Sequence, residues 1–218
     1  MKKERIGIFG GTFNPIHFGH LRAAEEVRYK CRLDKILFIP SYLPPHKNDR
    51  NIASPEDRWQ MLCLALSSNK FFIPSKIEIE IKGKSYSIDT LNKIQRDYPE
   101  ALIFFILGVD AFWEIKTWKN YLELIEKYFL IVISRPGYYL ESAKEALPER
   151  FAMSLIEIKN YSNIQKELFT HPKIFLLPIR ALNISSTEIR DKIKKKESIK
   201  YLVPLEVEEY IIKNRLYQ

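Results

Sequence analysis

A strand interrupted by two glycines near the start of the chain constrains the fold more than any other feature. Ile6–Phe9 is a short apolar run of the kind that forms a buried strand. Gly10 and Gly11 follow it, and because neither has a Cβ, the backbone there can turn sharply and lie close to a ligand. A helical pattern begins near Gly19. Strand, glycine turn and helix together bring free N–H groups and a positive helix end to an anion.

Two histidines, His17 and His20, lie where this helix is predicted to begin. If both are helical, their spacing places them on one face. Two imidazoles beside a helix N-terminus form a site for phosphate oxygens. The alternative is a pair of capping or surface histidines, but the preceding strand and double glycine favour the phosphate site.

Two better-known phosphate motifs are absent from the sequence. Gly7 and Gly10 do not form the G-x-G-x-x-G pattern of dinucleotide-binding turns. The segment Gly83-Lys84-Ser85 resembles the end of a P-loop, but Glu78 stands where that loop needs its first glycine. Phosphate binding in this chain must therefore use another design.

Length, charge and cysteine content narrow the class of protein. The 218 residues are 46% hydrophobic and 28% charged, which fits one sizeable globular core. We expect no membrane segment, since no apolar run is long enough to cross a bilayer. We expect no signal peptide, since Met1–Arg5 leads straight into the first predicted strand. Cys31 and Cys63 fall in helical apolar patterns, so we expect reduced core residues in a cytoplasmic protein.

The net charge of +8 raises nucleic acid as a partner. The lysines are spread along the chain, however, with one dense run at Lys192–Lys196. Basic residues do not alternate with aromatic ones in the manner that stacks bases. A small polyphosphate substrate and a solvated lysine-rich surface explain the charge better, so we expect no nucleic-acid partner.

Predicted strands and helices alternate along the chain, which indicates a parallel sheet covered on both faces. The predicted strands are Ile6–Phe9, Lys35–Pro40, Phe71–Ile81, Leu102–Leu107, Phe129–Ile133 and Ile174–Leu177. Of these, the most apolar, Leu102–Leu107, is expected to be central, and Phe71–Ile81, with one polar face, is expected at an edge. Predicted helices begin near Gly19, Ser54, Ser87, Tyr121, Ser185 and Pro204. Ligands of such sheets bind beyond the carboxyl ends of the strands.

We expect a single domain over residues 1–218, with an insertion or small lid at residues 138–172. Only weak helical patterns occur there, around Leu140–Leu147 and Ile164–Phe169. No internal repeat and no low-complexity linker divides the chain.

Several segments carry a resemblance to a known enzyme family. Gly10-Gly-Thr-Phe-Asn-Pro-Ile-His-Phe-Gly-His20 resembles the H-x-G-H signature of the nucleotidyltransferase superfamily, and Ile184-Ser-Ser-Thr-Glu-Ile-Arg190 resembles its second signature. Pro44–Lys47, Ser85–Leu91 and Gly108–Asp110 with Trp118 are similar to bacterial nicotinate-nucleotide adenylyltransferase. The resemblance covers nearly the whole chain. With the strand pattern, it predicts an α/β fold: a Rossmann-like, doubly wound, mainly parallel sheet with helices on both faces.

The resemblance implies transfer of AMP from ATP to nicotinate mononucleotide, giving deamido-NAD and pyrophosphate. It implies that the ATP phosphates are met by the catalytic residues His17, His20 and Arg190. The remaining ATP-binding residues would be Gly10, Gly11, Thr12, Phe13, Lys47, Ser186 and Thr187. The mononucleotide would be bound by Ser87, Thr90, Gly108, Asp110, Trp118 and Lys119.

The sequence also bears on metal binding, and it leaves other functions open. We expect no protein metal site, because His17, His20 and His46 lack a cysteine or carboxylate at zinc-binding spacing; Mg²⁺ would arrive with ATP. Asn14 stands where the family usually has Asp, which argues against an anionic metal ligand at that position. Other readings are a related adenylyl- or cytidylyltransferase, for instance one acting on phosphopantetheine, and a basic RNA-binding protein. Homo-oligomerisation is left open.

Overall fold

The computed structural model describes residues 3–43, 52–158 and 170–218. Their strands are β1 Arg5–Gly11, β2 Lys35–Pro40, β3 Phe72–Pro74, β4 Leu102–Gly108, β5 Phe129–Ile133, β6 Leu155–Glu157 and β7 Ile174–Leu177. Their α-helices are α1 Phe18–Lys30, α2 Pro55–Leu66, α3 Ser87–Asp97, α4 Val109–Trp113, α5 Tyr121–Lys127, α6 Ser186–Lys194 and α7 Leu205–Lys213. Short 3₁₀ helices occur at Ile115–Thr117, Leu140–Ala146 and Glu149–Ser154.

The strands form one sheet in the order β3-β2-β1-β4-β5-β7-β6. Every pairing between these strands is parallel. The chain moves outward from β1 to β3 and then returns to β4 on the other side of β1, so the strand order reverses between β1 and β4. In an open parallel sheet this reversal leaves a crevice at the carboxyl ends of the strands, where ligands bind. The predicted doubly wound α/β fold and the central place of β4 are confirmed.

Both faces of the sheet are covered by helices, because alternate side chains of each strand point to opposite sides. In β4, Phe104 and Ile106 pack with residues of α1, α2, α6 and α7. Ile103, Phe105 and Leu107 pack with residues of α3, α4 and α5. The central strands are therefore apolar on both sides, as the continuous hydrophobic runs in the sequence predict.

Two predicted helix starts have the expected caps. The Ser54 hydroxyl accepts a hydrogen bond from the Asp57 N–H at 3.0 Å, with Pro55 as the first residue of α2. The Ser185 hydroxyl accepts from the Glu188 N–H at 3.1 Å and so caps α6. Capping side chains satisfy backbone donors that a helix leaves unpaired in its first turn.

The predicted strand Phe71–Ile81 is too long, although its place at a sheet edge is confirmed. Strand β3 ends at Pro74, which pairs with Phe38 of β2. Since β2 itself ends two residues later at Pro40, a longer strand would have no partner. The chain turns instead, and the Glu80 N–H donates to the Lys76 carbonyl at 2.9 Å.

The described part of the segment 138–172 belongs partly to the sheet. Its 3₁₀ helices lead into β6, which pairs with β7 through Leu155–Ile174 and two further residue pairs. Residues 159–169, including the whole of the weak helical pattern at Ile164–Phe169, lie outside the described residues. The inserted segment and the single-domain organisation remain predictions.

Candidate active site

A cavity of about 780 Å³ opens at the carboxyl ends of the central strands, at the reversal of strand order. Of the predicted site residues, the following line it: Gly10, Gly11, Thr12, Phe13, His17, His20, Ser87, Thr90, Gly108, Asp110, Trp118, Lys119, Ser186 and Thr187. Of the two predicted residues not on this wall, Lys47 lies outside the described residues and Arg190 lies behind the wall. Segments far apart in sequence are thus brought to one concave surface.

The two histidines of the first signature form a stacked pair on the wall of this cavity. Their ring centroids are 3.7 Å apart and their planes differ by 29°. Phe13 meets the His20 ring edge-on at 5.2 Å, and Phe9 does so at 6.3 Å. Both Nδ1 atoms are buried without a hydrogen-bond partner among the described residues. Buried polar atoms normally have partners, so two unpartnered nitrogens on a cavity wall point to a ligand.

Gly19 makes this stacking possible. A Cβ at this position would lie 2.9 Å from both Cε1 and Nδ1 of His17 and 3.4 Å from the Ile184 carbonyl oxygen. Because such distances are far below ordinary carbon contacts, any other residue would displace the His17 ring. Gly19 therefore leaves the space that the His17 ring occupies.

Both histidines are held in their neutral form at neutral pH. Burial, together with the positive charge of Arg135, lowers the pKa of His17 to about 4. Burial also lowers the pKa of His20 well below its usual value, with further contributions from His17 and Arg135. Desolvation disfavours the charged form of an imidazole, and a nearby cation acts in the same direction.

The start of α6 forms another part of the cavity wall. Thr187 is exposed on the cavity wall, and the Ser186 hydroxyl donates to the Pro15 carbonyl at 2.9 Å. Arg190, predicted to hold phosphate, is only 5% exposed. Its guanidinium donates to the Asn14 carbonyl at 3.0 Å and to the Thr187 hydroxyl at 3.3 Å. Arg190 thus links α6 to the β1–α1 turn from behind the cavity wall.

The opposite end of the cavity is built around α3 and the segment after β4. Helix α3 begins with Ser87, which lines the cavity, and its N-cap residue Tyr86 provides no side-chain cap for the first N–H groups. Trp118 is half-buried and packs edge-on against Phe105 at 6.1 Å. Lys119 pairs with Asp89 at 2.8 Å. This end offers backbone donors beside a flat aromatic ring.

Asp110 carries an unsatisfied oxygen at this end. One carboxylate oxygen, Oδ2, pairs with Arg135, whereas Oδ1 is buried without a partner among the described residues. A Cβ on Gly108 would lie 2.3 Å from Oδ1, so the absence of a side chain at Gly108 leaves room for this carboxylate. A carboxylate oxygen presented in this way accepts a hydrogen bond from a ligand hydroxyl.

Four residues that line the cavity or lie directly behind it were not predicted from the sequence. Arg135, Glu78 and Ser41 line the cavity, and Arg58 lies directly behind it. The Glu78 carboxylate accepts hydrogen bonds from the Ser85 hydroxyl at 2.6 Å and the Thr90 hydroxyl at 2.8 Å. Arg135 begins the Arg-Pro-Gly turn that follows β5. A cation beyond the carboxyl end of a strand is the one sequence feature that could have predicted its place in the site.

Across residues 3–43, 52–158 and 170–218, no group of three or more His, Cys, Asp or Glu side chains could hold a metal ion. Nor does any helix in those ranges have the length and hydrophobicity to cross a membrane. Both cysteines are free, with Cys31 buried in the core.

The sequence matches the cytidylyltransferase-like family over residues 8–192. It is 41% identical over 215 residues to a nicotinate-nucleotide adenylyltransferase of Moorella thermoacetica, covering 98% of this chain and 92% of the relative. It is 42% identical over 216 residues to the protein of the same name from Geotalea daltonii, covering 98% of both chains. The chain belongs to the nicotinate-nucleotide adenylyltransferase family. It is therefore a nucleotidyltransferase of NAD biosynthesis.

A solved structure agrees with this family at the level of the fold. The chain matches Plasmodium falciparum nicotinic acid mononucleotide adenylyltransferase complexed with NaAD with a TM-score of 0.75. The two sequences are 21% identical, and the match covers 98% of this chain and 97% of the other. The nicotinate-nucleotide adenylyltransferase family thus accounts for both the sequence and the doubly wound sheet.

Proposed function

We propose that this chain transfers the adenylyl group of ATP to nicotinate mononucleotide in the cavity between β1 and β4. A phosphate oxygen of the mononucleotide attacks the α-phosphorus of ATP. The bond from that phosphorus to the bridging oxygen breaks, and pyrophosphate leaves. The products are deamido-NAD and pyrophosphate.

The observation that carries this proposal is the pairing of two unsatisfied ends in one cavity. One end has two stacked neutral imidazoles with unpartnered buried Nδ1 atoms. The other has an unpartnered Asp110 oxygen near an uncapped helix start and Trp118. A triphosphate suits the first end, and a ribose with a flat charged ring suits the second. A dinucleotide-forming reaction needs both ligands in one cavity.

The reaction requires positioning more than proton transfer. The attacking phosphate monoester is mostly ionised at pH 7, since its second pKa is about 6. No general base is therefore needed. The barrier lies in bringing two anions together and stabilising charge on the leaving pyrophosphate, which preorganised donors achieve.

His17 and His20 supply such donors. Each neutral imidazole carries one N–H that can donate to a phosphate oxygen. A nearby anion favours the charged imidazole, so bound triphosphate raises the pKa of both rings toward their ordinary value. The donors then strengthen as negative charge develops on the leaving group.

The acceptor end is proposed to orient nicotinate mononucleotide. The indole of Trp118 would stack on the pyridine ring, and N–H groups at the start of α3 would bind the ring carboxylate. Asp110 Oδ1 would accept a ribose hydroxyl while Arg135 holds the other oxygen. Ser87, Thr90, Gly108 and Lys119 belong to the same proposed subsite.

Mg²⁺ is proposed to enter with ATP. Because the described residues offer no cluster of metal-binding side chains, its ligands would be phosphate oxygens and water. The ion would neutralise part of the phosphate charge. We also propose that Lys47 contacts ATP, that the protein is cytoplasmic, and that neither nucleic acid nor a membrane is its partner. Homo-oligomerisation remains a prediction.

An acceptor panel tests the function. Purified protein with ATP and Mg²⁺ is given nicotinate mononucleotide, nicotinamide mononucleotide or phosphopantetheine, and dinucleotide and pyrophosphate are quantified. We expect fast, equimolar release of deamido-NAD and pyrophosphate with nicotinate mononucleotide. Preferential turnover of phosphopantetheine would contradict the proposal, as would salt-sensitive RNA retention without turnover of any acceptor.

A further inference from the structure

A layer of buried polar side chains lies behind the β1–α1 turn and outside the cavity wall. Arg58 of α2 is fully buried there. Its guanidinium donates to the carbonyl oxygens of Thr12 at 2.9 Å, Tyr42 at 2.9 Å and Ala53 at 3.2 Å. One side chain therefore connects the turn after β1, the loop after β2 and the start of α2.

Tyr217 provides a second connection to the same turn. Its hydroxyl donates to Asn14 Oδ1 at 2.8 Å, and the Ala53 N–H donates to that oxygen at 3.0 Å. The Asn14 side chain is 4% exposed, so these bonds lie inside the protein. Burial raises the pKa of Tyr217 well above its usual value, so the hydroxyl keeps its proton and remains a donor.

These contacts fix the orientation of the turn's peptide groups. In a planar trans peptide, the N–H of one residue points away from the C=O of the residue before it. The Thr12 carbonyl accepts from Arg58, so the Phe13 N–H points away from Arg58, and both turn residues line the cavity. No described residue accepts a hydrogen bond from this N–H.

The turn needs support because of its backbone conformation. Phe13 has φ of +47°, in the left-handed region that bulky residues rarely adopt. A residue held in this region persists only when surrounding contacts impose it. Arg58 and Tyr217 act on the residues directly before and after Phe13, which is where such contacts are required.

Arg58 also places a charge behind the turn. Its hydrogen-bond acceptors among the described residues are three carbonyl oxygens and no carboxylate. Burial lowers its pKa, but a guanidinium stays protonated in proteins. The cation therefore adds positive potential at a turn that is proposed to meet a triphosphate.

We propose that Arg58 and Tyr217 are positioning residues for ATP, which hold the Thr12–Asn14 turn from behind so that the Phe13 N–H faces the triphosphate. This inference rests on the proposed function. Neither side chain lines the cavity, so both act through the turn. Loss of either should therefore impair ATP binding while leaving the mononucleotide end unchanged.

The experiment compares Arg58→Lys and Tyr217→Phe with matched surface changes. Arg58→Lys keeps the charge and loses the planar fork, whereas Tyr217→Phe keeps the ring and loses one donor. Arg150→Lys and Tyr201→Phe are the controls, because Arg150 is mostly exposed and Tyr201 is 80% exposed. Thermal unfolding, KM for each substrate and amide hydrogen exchange are measured for all variants. The exchange probes are Ser41 and Ala53, whose N–H groups donate to the Gly11 carbonyl and to Asn14 Oδ1 of the turn.

We expect the KM for ATP to rise roughly tenfold in each buried variant that folds, with the KM for nicotinate mononucleotide within about twofold of wild type. Exchange at Ser41 and Ala53 should accelerate in the same variants and stay unchanged in the controls. If Arg58→Lys does not fold, Tyr217→Phe decides alone. A folded Tyr217→Phe protein with unchanged KM for ATP and unchanged exchange would overturn the inference.

Failure of the proposed function gives a different pattern. Wild-type protein would then make no deamido-NAD, while hydrogen exchange would still report whether Arg58 and Tyr217 hold the turn. Faster exchange with unaltered ATP binding would show that the two residues only stabilise the fold, which would also overturn the inference.

Discussion

The imidazole rings of His17 and His20 lie stacked, with centroids 3.7 Å apart, on the wall of the cavity. Each ring excludes water from one face of the other, and both are neutral at neutral pH. This relationship makes the pair sensitive to three changes: loss of a ring, acidification, and a side chain on the residue between them.

Replacing His20 with Ala should reduce kcat by roughly 10²–10³ with the fold intact, because one preorganised donor to the leaving phosphates is lost. Steady-state turnover and thermal unfolding measure the two effects. His171→Ala is the control, since His171 is exposed and outside the cavity lining. Wild-type turnover in a folded His20→Ala protein would rule out a catalytic role for this ring.

Stability should fall on acidification below about pH 6.5, because His17 has a pKa near 4 when folded and near 6.5 when unfolded. Between these values the unfolded chain binds a proton that the folded protein excludes, so the free energy of unfolding decreases as the pH falls. The shift corresponds to about 3 kcal/mol at pH 4. Urea unfolding from pH 7 to pH 4 should show a smaller decline for His17→Gln, and equal declines would contradict the assignment.

Gly19→Ala should lower kcat by roughly tenfold to a hundredfold, because the new methyl group displaces the His17 ring. Helix propensity favours Ala over Gly by up to about 1 kcal/mol, so activity should fall without a comparable loss of stability. Gly83→Ala is the matched control, since its nearest neighbouring atom would be 3.8 Å away. Equal activity of both variants would show that ring placement tolerates the methyl group.

Arg190→Lys should weaken ATP use with little effect on the KM of the mononucleotide. The substitution keeps the charge but loses the fork that reaches both the Asn14 carbonyl and the Thr187 hydroxyl. Initial rates measured against each substrate separate the two ends of the cavity. A change confined to the KM of the mononucleotide would show that Arg190 acts at the mononucleotide end of the cavity and would contradict this prediction.

Nicotinate mononucleotide should be preferred over nicotinamide mononucleotide by at least about tenfold in kcat/KM, or about 1.4 kcal/mol. Uncapped N–H groups at the start of α3 favour an anionic carboxylate over a neutral amide. Trp118→Ala should weaken both acceptors and spare ATP. Competition between the two acceptors at equal concentration measures the preference, and equal use would refute carboxylate capture.

The sequence predicts those parts of the fold that depend on local pattern. β2 and β5 have the bounds expected from their apolar runs, and Ser54 and Ser185 cap helices as their spacing indicates. The predicted strand through Ile81 failed because strand length depends on a partner, and β2 ends at Pro40.

Long-range polar contacts could not be predicted in the same way. The ion pair of Asp110 with Arg135 and the hydrogen bonds of Arg58 connect segments that only the folded sheet brings together. Arg190 shows the same limit. Its place after Ser-Ser-Thr predicts a guanidinium that faces phosphate, whereas in the fold the guanidinium donates to the Asn14 carbonyl.

The Glu78 carboxylate sets the direction in which two neighbouring hydroxyl groups can bond. The hydroxyl groups of Ser85 and Thr90 each donate their one hydrogen to this carboxylate. Their oxygens therefore keep only lone pairs for a substrate, and any group that binds them must bring its own hydrogen. A ring carboxylate brings none at neutral pH. If nicotinate binds here as proposed, these two hydroxyls do not select its carboxylate, and we expect the backbone amides at the start of α3, which side-chain mutation does not remove, to do so.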